Sequence, residues 1–197
     1  MVLIEDQAQK TDKHTLKNAY WKKHGIEVMR YGLPVGDYIL ADDRVMDVIA
    51  RKKVRGIQPH KMDFLGSYSV CVDSKYGIEE ISQNVCGKSH ARFRDECILA
   101  MNNNIRLIVL IENEGKQIVP GVVNPTITRL EDLHKWVNPR LFLCRHGKQL
   151  YPNAVRGATL MKACMSMKKR YNVDFLFCTP EESGKRIVEI LTGGKNG

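Results

Sequence analysis

The sequence predicts an α/β protein in which a mixed sheet is covered by helices on both faces. Segments with helical periodicity alternate along the chain with short apolar segments that are typical of strands. The segment from Leu107 to Ile111 is apolar without interruption, as expected of a strand buried on both faces. The chain has 197 residues, of which 43% are hydrophobic, so one domain with its own core is expected.

The first half of the chain contains four predicted strands and one predicted helix. The strands cover residues 2–4, 26–31, 37–40 and 68–73. The helix is predicted from Lys13 to about His24 and ends at Gly25. Its predicted apolar stripe consists of Leu16, Ala19 and Tyr20. Residues 42–66 are charged and show no clean period, which predicts a long loop with at most a short helix.

The second half continues the alternation of helices and strands. Helices are predicted at residues 78–85, 91–101, 127–137 and 156–171, and strands at 105–112 and 173–178. Residues 113–126 are predicted to form a loop. The sequence TPEE then opens a final helix, with Thr179 as its cap and Glu182 closing a capping box.

The positive charge of the chain is concentrated in two segments. The formal net charge is +9. Residues 140–170 contain eight basic and no acidic residues, and residues 44–61 contain six basic residues and one acid, Asp47. Such segments are typical of a nucleic-acid partner, although a solvated basic face is the alternative.

The cysteines and the N-terminus indicate a cytoplasmic protein. None of the six cysteines forms a C-x-x-C pair, so we interpret them as reduced thiols. Cys144 and His146 could ligate zinc, but their spacing is not that of a zinc module. The N-terminus lacks the pattern of a signal peptide, and no apolar run is long enough to cross a bilayer, so no membrane partner is expected.

Charged residues lie at the ends of two predicted strands. Asp37 opens one strand, and Asp73 closes the next, followed two residues later by Lys75. Side chains two residues apart on a strand share a face, so Asp73 and Lys75 are expected to converge. If the strands are neighbours, both carboxylates meet and suit a cation such as Mg²⁺, with the Ser74 carbonyl as a further ligand. The alternative is a surface salt pair at a strand end.

Four segments in order resemble the nuclease domain of the XPF family of structure-specific endonucleases, a branch of the PD-(D/E)XK nucleases. They are LPVGDYIL, VDSKYGIEEIS, ARFRDECILA and IRLIVLIEN. The family pattern is G-D, a variable gap, E-R-K, three residues and D. Gly36 and Asp37 match its start, the sequence from Asp73 to Lys75 takes the place of E-R-K, and Glu79 falls where the last acid is expected.

The chain also departs from the family pattern at its first strand and at the E-R-K motif. The family's first strand ends in D-x-R-E, whereas here Asp6 is followed by Ala8 and Gln9 in place of the arginine and glutamate. Ser74 replaces the arginine of E-R-K. The combination is similar to stand-alone members from bacterial viruses and prophages.

The resemblance implies a restriction-endonuclease-like fold and a single nuclease domain over residues 1–197. Residues 42–67 and 113–155 are expected to be insertions. The family's helix–hairpin–helix DNA-binding domain is not expected in the chain. Related nuclease domains often pair, so a homodimer is one expected assembly.

The resemblance also implies a set of site residues. Asp37, Asp73 and Lys75 are the expected catalytic core, joined by Glu79, and Asp6 and Ser74 are further candidate metal ligands for Mg²⁺ or Mn²⁺. Asp6 has a helix-entry role as its alternative, and Glu79 a helix-dipole role. The candidate DNA-backbone contacts are Arg92, Arg94, Lys52, Lys53, Arg55, Arg156, Lys168, Lys169 and Arg170.

The leading hypothesis is therefore a metal-dependent DNA endonuclease that acts on branched or single-strand-containing DNA. Lys75 would hold or help deprotonate a water, or offset charge on a phosphate. The rival hypothesis is a catalytically silent DNA-binding or assembly module on the same fold. Cleavage of RNA is a third hypothesis, since charge alone does not distinguish the two nucleic acids.

Overall fold

The computed structural model describes residues 1–10 and 15–194. The strands are β1 Val2–Asp6, β2 Glu27–Tyr31, β3 Tyr38–Leu40, β4 Val70–Lys75, β5 Arg106–Glu112, β6 Lys116–Val119, β7 Val122–Asn124, β8 Cys144–Arg145, β9 Lys148–Gln149 and β10 Asp174–Cys178. The α-helices are α1 Thr15–Lys23, α2 Asp43–Val54, α3 Ile78–Cys86, α4 His90–Asn102, α5 Gly157–Tyr171 and α6 Ser183–Leu191. Short 3-10 helices lie at Lys61–Phe64, Leu130–Lys135 and Pro139–Phe142.

The central sheet has six strands in the order β10-β5-β4-β3-β1-β2. β1 pairs with β2 in parallel, and β4 with β5 and β5 with β10 are also parallel. β3 is antiparallel to both of its neighbours, β1 and β4. The mixed sheet that the sequence predicts is therefore confirmed, and β3 is the strand that makes it mixed.

Two helical layers cover the two faces of this sheet. Successive side chains of β5 point to opposite faces: Val109 and Ile111 pack in the core beneath α3, α4 and α5, whereas Leu110 packs with the side chains of α1 and α6. Trp21 of α1 is fully buried in the second layer, and Trp136 is buried in the first. Both tryptophans therefore serve packing.

Residues 42–66 differ from the predicted loop. Asp42 caps a twelve-residue helix, α2, by accepting a hydrogen bond from the Val45 N–H at 3.0 Å. Val45 and Ile49 are buried one turn apart, and the rest of the helix is largely polar. The predicted loop is wrong here: Val48 packs against the core with Val45 and Ile49, so the i, i+3, i+4 spacing of a surface helix was present among the charged residues and was missed.

Smaller differences occur elsewhere. Residues 113–126 form the hairpin of β6 and β7 rather than a loop, and the predicted helix at 127–137 is reduced to the 3-10 helix Leu130–Lys135. The final helix begins at Ser183, after a turn in which the Glu182 carboxylate accepts the Thr179 N–H at 3.0 Å. β4 begins at Val70 and runs on to Lys75, so the charged residues lie within the strand.

Helix α1 buries a different stripe from the predicted one. Leu16 is exposed, whereas Lys17 and Trp21 are buried, one turn apart. The predicted start of this helix at Lys13 lies outside the described residues, and its end at Gly25, which has a φ of +64°, agrees with the prediction. Within residues 1–10 and 15–194, no helix has both the length and the apolar character that crossing a bilayer requires.

Candidate active site

Asp37 and Asp73 are held together by the antiparallel pairing of β3 and β4. Tyr38 pairs with Val72, and the Asp37 N–H donates to the Val72 carbonyl at 2.8 Å. The Asp37 Oδ2 accepts the Ser74 backbone N–H, also at 2.8 Å. The two predicted strands are therefore neighbours, and the two acids meet at the same end of this strand pair.

A glycine is required immediately before Asp37. Gly36 has a φ of +74°, a region that side chains other than glycine rarely adopt. A Cβ atom at this position would lie 2.8 Å from the Cβ of Cys71 on β4. Gly36 thus lets the chain turn against β4 closely enough to place the Asp37 carboxylate beside Asp73.

Lys75 reaches back to Asp73 along the same face of β4. Its Nζ donates to the Asp73 Oδ1 at 2.6 Å, and both side chains are buried. The pair is therefore not the surface salt bridge that the alternative interpretation of the sequence requires. The second oxygen of Asp73, Oδ2, is buried without a hydrogen-bond partner.

Burial and mutual repulsion act strongly on the titratable groups of this edge. Burial, followed by the charge of Asp73, raises the pKa of Asp37 well above its usual range. Burial disfavours the charge of Lys75, but the carboxylates of Asp73 and Asp37 outweigh it and raise the pKa of Lys75. Lys75 is consequently held as an ammonium.

Glu96 on α4 is a third acid that reaches this edge, and sequence reasoning missed it. Its Oε1 accepts the Gly36 N–H at 2.9 Å, so it supports the turn before Asp37. Burial, followed by the charge of Asp73, raises the pKa of Glu96 to about 7. A signal was present: Glu96 lies three residues after Phe93 and four before Ala100, both buried, so an acid interrupts the buried face of α4.

The acids fit a hard cation. Among the residues that the structure describes, no three His, Cys, Asp or Glu side chains form a complete metal-binding group. Cys144 and His146 are therefore not part of such a group. Mg²⁺, however, needs only one or two carboxylates, with water and phosphate oxygens completing its shell. The unpartnered Oδ2 of Asp73 and the crowding of Asp37 against it are the features that a cation would relieve.

A second network of buried side chains lies next to Asp37 and Asp73 and is joined to them through Ser74. Lys17 of α1 donates to the Glu112 Oε1 at 2.5 Å and to the Ser74 Oγ at 2.8 Å. Lys17 and Glu112 are 3% and 6% exposed, so this is a buried ion pair. Because the Ser74 N–H in turn binds Asp37, the network fixes the position of a carboxylate at the site. Ser74 therefore contributes its N–H and hydroxyl, neither of which the sequence indicated.

Two further predicted residues, Asp6 and Glu79, lie in different places. Asp6 ends β1 and lines the same cleft as Asp37, where its Oδ1 accepts the Leu33 N–H at 3.2 Å. Glu79 lines a separate pocket and pairs with Lys116 at 3.7 Å. The neighbouring residue Glu80 lines the cleft instead and accepts the Tyr76 N–H at 2.9 Å.

The acids form the floor of an open cleft of about 620 Å³ whose walls carry cations. Arg92 is the one residue among the nine predicted backbone contacts that lines this cleft in the described structure. Lys10, Lys17 and Lys61 line it as well and were not predicted.

The other predicted backbone contacts lie outside the cleft on exposed or partly exposed surfaces. Arg94, Lys52 and Lys168 are paired with Asp95, Asp63 and Asp174, at 2.8, 2.7 and 3.0 Å. The remaining five are exposed on α2, on α5 or next to these helices: Lys53, Arg55, Arg156, Lys169 and Arg170.

Comparison with known proteins identifies the fold. No protein-family model matches the sequence, and no curated protein matches it. Among solved structures, the chain is similar to XPF from Aeropyrum pernix, with a TM-score of 0.52 and 11% sequence identity. The similarity covers 100% of this chain and 63% of that chain, so this chain spans less than two thirds of its length. The chain therefore has an XPF-like, restriction-endonuclease-like fold, in which helices flank both faces of a mixed sheet, as the sequence predicts.

Proposed function

We propose that this chain is a metal-dependent nuclease that hydrolyses phosphodiester bonds in DNA, with branched or single-strand-containing DNA as its substrate. The observation that carries the proposal is the buried group of Asp37, Asp73 and Lys75 on the floor of an open, cation-lined cleft. Paired carboxylates and a lysine are the groups that metal-assisted phosphodiester hydrolysis uses. The fold shared with XPF from Aeropyrum pernix supports the same proposal.

Asp37 and Asp73 would hold Mg²⁺ or Mn²⁺, with Asp6 and the Ser74 carbonyl as further candidate ligands. The ion supplies Lewis-acid chemistry: it polarises a phosphoryl oxygen and offsets the charge that develops there. The buried Oδ2 of Asp73 supports this role because it accepts no hydrogen bond from the described residues, and a buried carboxylate oxygen without a partner is costly. The Ser74 N–H keeps the Asp37 carboxylate turned towards Asp73.

Lys75 would bind the scissile phosphate by its charge. In the metal-free protein its pKa is raised by the two carboxylates, which favours the ammonium form. An ammonium donates hydrogen bonds to phosphate oxygens and to an attacking water, but it cannot take a proton from that water. Charge compensation and orientation are the roles that an ammonium can perform, whereas deprotonation of a water would require Lys75 to be neutral.

The cations of the cleft would hold the DNA backbone on either side of the site. Arg92, Lys10 and Lys61 lie along its walls, on elements distant from one another in the sequence. Arginine and lysine contacts to phosphate provide affinity without base preference. This arrangement suits an enzyme that recognises the shape of its DNA rather than its sequence.

A cleavage assay tests the proposal. The protein is incubated with labelled branched, single-stranded and duplex DNA in Mg²⁺, Mn²⁺ or EDTA, beside Asp37→Ala and Asp73→Ala. Asp43→Ala, which removes an exposed acid from α2, is the matched control. We expect the wild type and the control to cut in the presence of metal, and both active-site variants to lose at least about a hundredfold in rate.

Two results would contradict the nuclease assignment. One is that the wild type cuts none of these DNAs with either metal. The other is that Asp37→Ala and Asp73→Ala cut as fast as the control, which would place the activity elsewhere. Salt-sensitive binding without any cutting would instead support a catalytically silent DNA-binding module.

A further inference from the structure

A β-ribbon protrudes from the domain between the last 3-10 helix and α5. Every residue from 142 to 153 is exposed. Cys144 pairs with Gln149 and Arg145 with Lys148, and the turn between them is His146–Gly147. Both turn residues have positive φ, 49° and 73°, as in the tight turns that join short antiparallel strands.

One face of this ribbon combines apolar and basic side chains. The Leu150 N–H donates to the Leu143 carbonyl at 2.8 Å, so these two leucines extend the ladder opposite each other. Opposite residues share a face, and so do residues two apart along a strand. Leu143 and Leu150 therefore lie on the same face as Arg145 and Lys148. We call these four side chains the ribbon face.

The base of the ribbon is fixed to the domain. The Arg140 guanidinium lies 5.5 Å from the centre of the Tyr151 ring, and the Gln149 side chain donates to the Leu141 carbonyl. Below it, the Asn138 side chain donates to the Val155 carbonyl at 3.0 Å. The ribbon face is thus presented on an ordered support rather than on a free loop.

The ribbon face exposes apolar surface that packing alone does not explain. Leu143 and Leu150 are 49% and 48% exposed on this face, and Phe142 and Tyr151, which by the same alternation belong to the other face, are 38% and 45% exposed. A cluster of exposed apolar side chains marks a surface that binds something. No acidic residue occurs from 133 to 173, so the partner of this surface carries negative charge.

We propose that the ribbon face binds in the groove of a duplex arm of the DNA substrate. The proposal rests on the proposed action on DNA and adds that the substrate must contain duplex. A two-stranded β-ribbon fits the major groove, which is about 12 Å wide, and leaves its basic side chains beside the phosphates. A second copy of the chain would oppose Arg145 and Lys148 with like charges. Single-stranded DNA is bound by aromatic platforms, whereas the ribbon face carries leucines and the exposed aromatics Phe142 and Tyr151 belong to the other face.

The position of the ribbon agrees with this role. Leu150 and Tyr151 line a pocket together with Ser82 and Cys86 of α3. α3 begins at Ile78, after the two residues that follow β4, and its nine residues span roughly 13 Å. The ribbon therefore lies beside the helix that follows the strand of Asp73 and Lys75.

Binding measurements in EDTA test the ribbon without requiring cleavage. Fluorescence anisotropy compares a labelled duplex with a single strand of the same length, for the wild type, Arg145→Ala/Lys148→Ala and Leu143→Ser/Leu150→Ser. The control is Lys22→Ala/Lys23→Ala, which removes the same charge from exposed positions on α1, in the opposite helical layer. All four positions of the ribbon face are exposed, so thermal unfolding should be unchanged.

We expect Arg145→Ala/Lys148→Ala to weaken duplex binding at least about fivefold and to lower the salt slope of log K by about two. Leu143→Ser/Leu150→Ser should weaken duplex binding with the slope unchanged, and single-strand affinity should stay the same in both. The proposal is overturned if both variants bind duplex like the control, if single-strand binding weakens equally, or if the leucine variant converts a dimer to a monomer. Because no metal is present, loss of the ribbon proposal and loss of the nuclease proposal are separate outcomes.

Discussion

Asp37 is a carboxylate that the fold holds at a cost in stability. It is buried beside Asp73, and both burial and that neighbour raise its pKa, so its ionised form is disfavoured in the folded protein. The same crowding is what makes the pair suited to a cation. The charge of Asp37 therefore lowers the stability of the metal-free protein, whereas the proposed activity with metal requires that charge.

Replacing Asp37 with asparagine should separate the effect of its charge on stability from its effect on cleavage. Asp37→Asn keeps an oxygen that can accept the Ser74 N–H and removes the charge. We expect the free energy of unfolding in EDTA at pH 8 to rise by about 1–2 kcal/mol, and cleavage in Mg²⁺ to be lost. Urea unfolding and the cleavage assay measure the two effects.

Asp132→Asn is the matched control for that change. Hydrogen bonding to Lys135 lowers the pKa of Asp132, so its ionised form is favoured and its neutralisation should not stabilise the protein. A gain in stability from Asp132→Asn equal to that from Asp37→Asn, or no gain from either, would contradict the assignment of strain to Asp37.

Glu96 predicts how stability depends on pH in the absence of metal. Its pKa is raised from 4.5 to about 7 in the folded protein, so between these values the folded state binds more protons than the unfolded state. The stability that Glu96 contributes is therefore present below about pH 4.5 and lost as the pH rises through about 7. Between pH 5 and pH 8 in EDTA, we expect the free energy of unfolding of Glu96→Gln to fall by about 1–3 kcal/mol less than that of the wild type.

Chemical denaturation at several pH values checks this expectation. Glu182→Gln is the control, because the Thr179 N–H lowers the pKa of Glu182, so this group titrates below the pH range of the experiment and its removal should leave the pH profile parallel to that of the wild type. Parallel pH profiles for the wild type and Glu96→Gln would show that Glu96 is not protonated in the folded protein near neutral pH.

At the scale of elements, α1 is joined to the sheet by charge rather than by its apolar side chains alone. Lys17 binds both Glu112, at the end of β5, and Ser74, on β4. One ammonium thus connects a helix with two strands next to the candidate site. A buried pair of this kind adds little net stability, but breaking it leaves a charge uncompensated.

Removing the Lys17 charge should therefore be more damaging than removing the pair. Lys17→Met is expected to lower the free energy of unfolding by about 3–5 kcal/mol, because Glu112 is left buried without its cation. The double variant Lys17→Met/Glu112→Gln should recover part of that loss, and urea unfolding of the full cycle measures the coupling. Additive losses in the cycle would mean that the two side chains do not stabilise each other.

At the scale of the whole molecule, the cations behind the net charge of +9 are not all placed where they line the cleft. Arg92 lines the cleft, whereas Lys52 is paired with Asp63 at 2.7 Å on another surface. Position relative to the cleft, and not charge alone, should decide which cations bind the backbone.

Arg92 and Lys52 form a matched test of that distribution. Arg92→Ala should weaken DNA binding and lower the salt slope of log K by about one, whereas Lys52→Ala should leave both unchanged. Titrations with labelled branched DNA in EDTA at several salt concentrations give both quantities. Equal losses from the two variants would indicate a diffuse basic surface rather than a defined cleft.

The sequence by itself determined the fold class and the centre of the candidate site. The alternation of helix and strand patterns and the apolar run of β5 are local signals, and they are sufficient for a sheet covered on both faces. Asp37, Asp73 and Lys75 were predicted together from their places at the ends of predicted strands, on the condition that these strands are neighbours, and from the resemblance to the XPF nuclease domain. Helix α2 was missed although Val45, Val48 and Ile49 have helical spacing, because this short apolar stripe lies among charged residues.

Only the tertiary structure decided which other residues join that centre. Lys17, Glu96 and Glu112 come from elements far apart in the chain, and no local pattern records that α1, α4 and β5 bring them to one edge. Glu80 rather than Glu79 lines the cleft because one residue along a helix turns the side chain by about 100°. Periodicity is a property of neighbours in sequence, whereas a site is defined by which faces the packed elements turn towards each other.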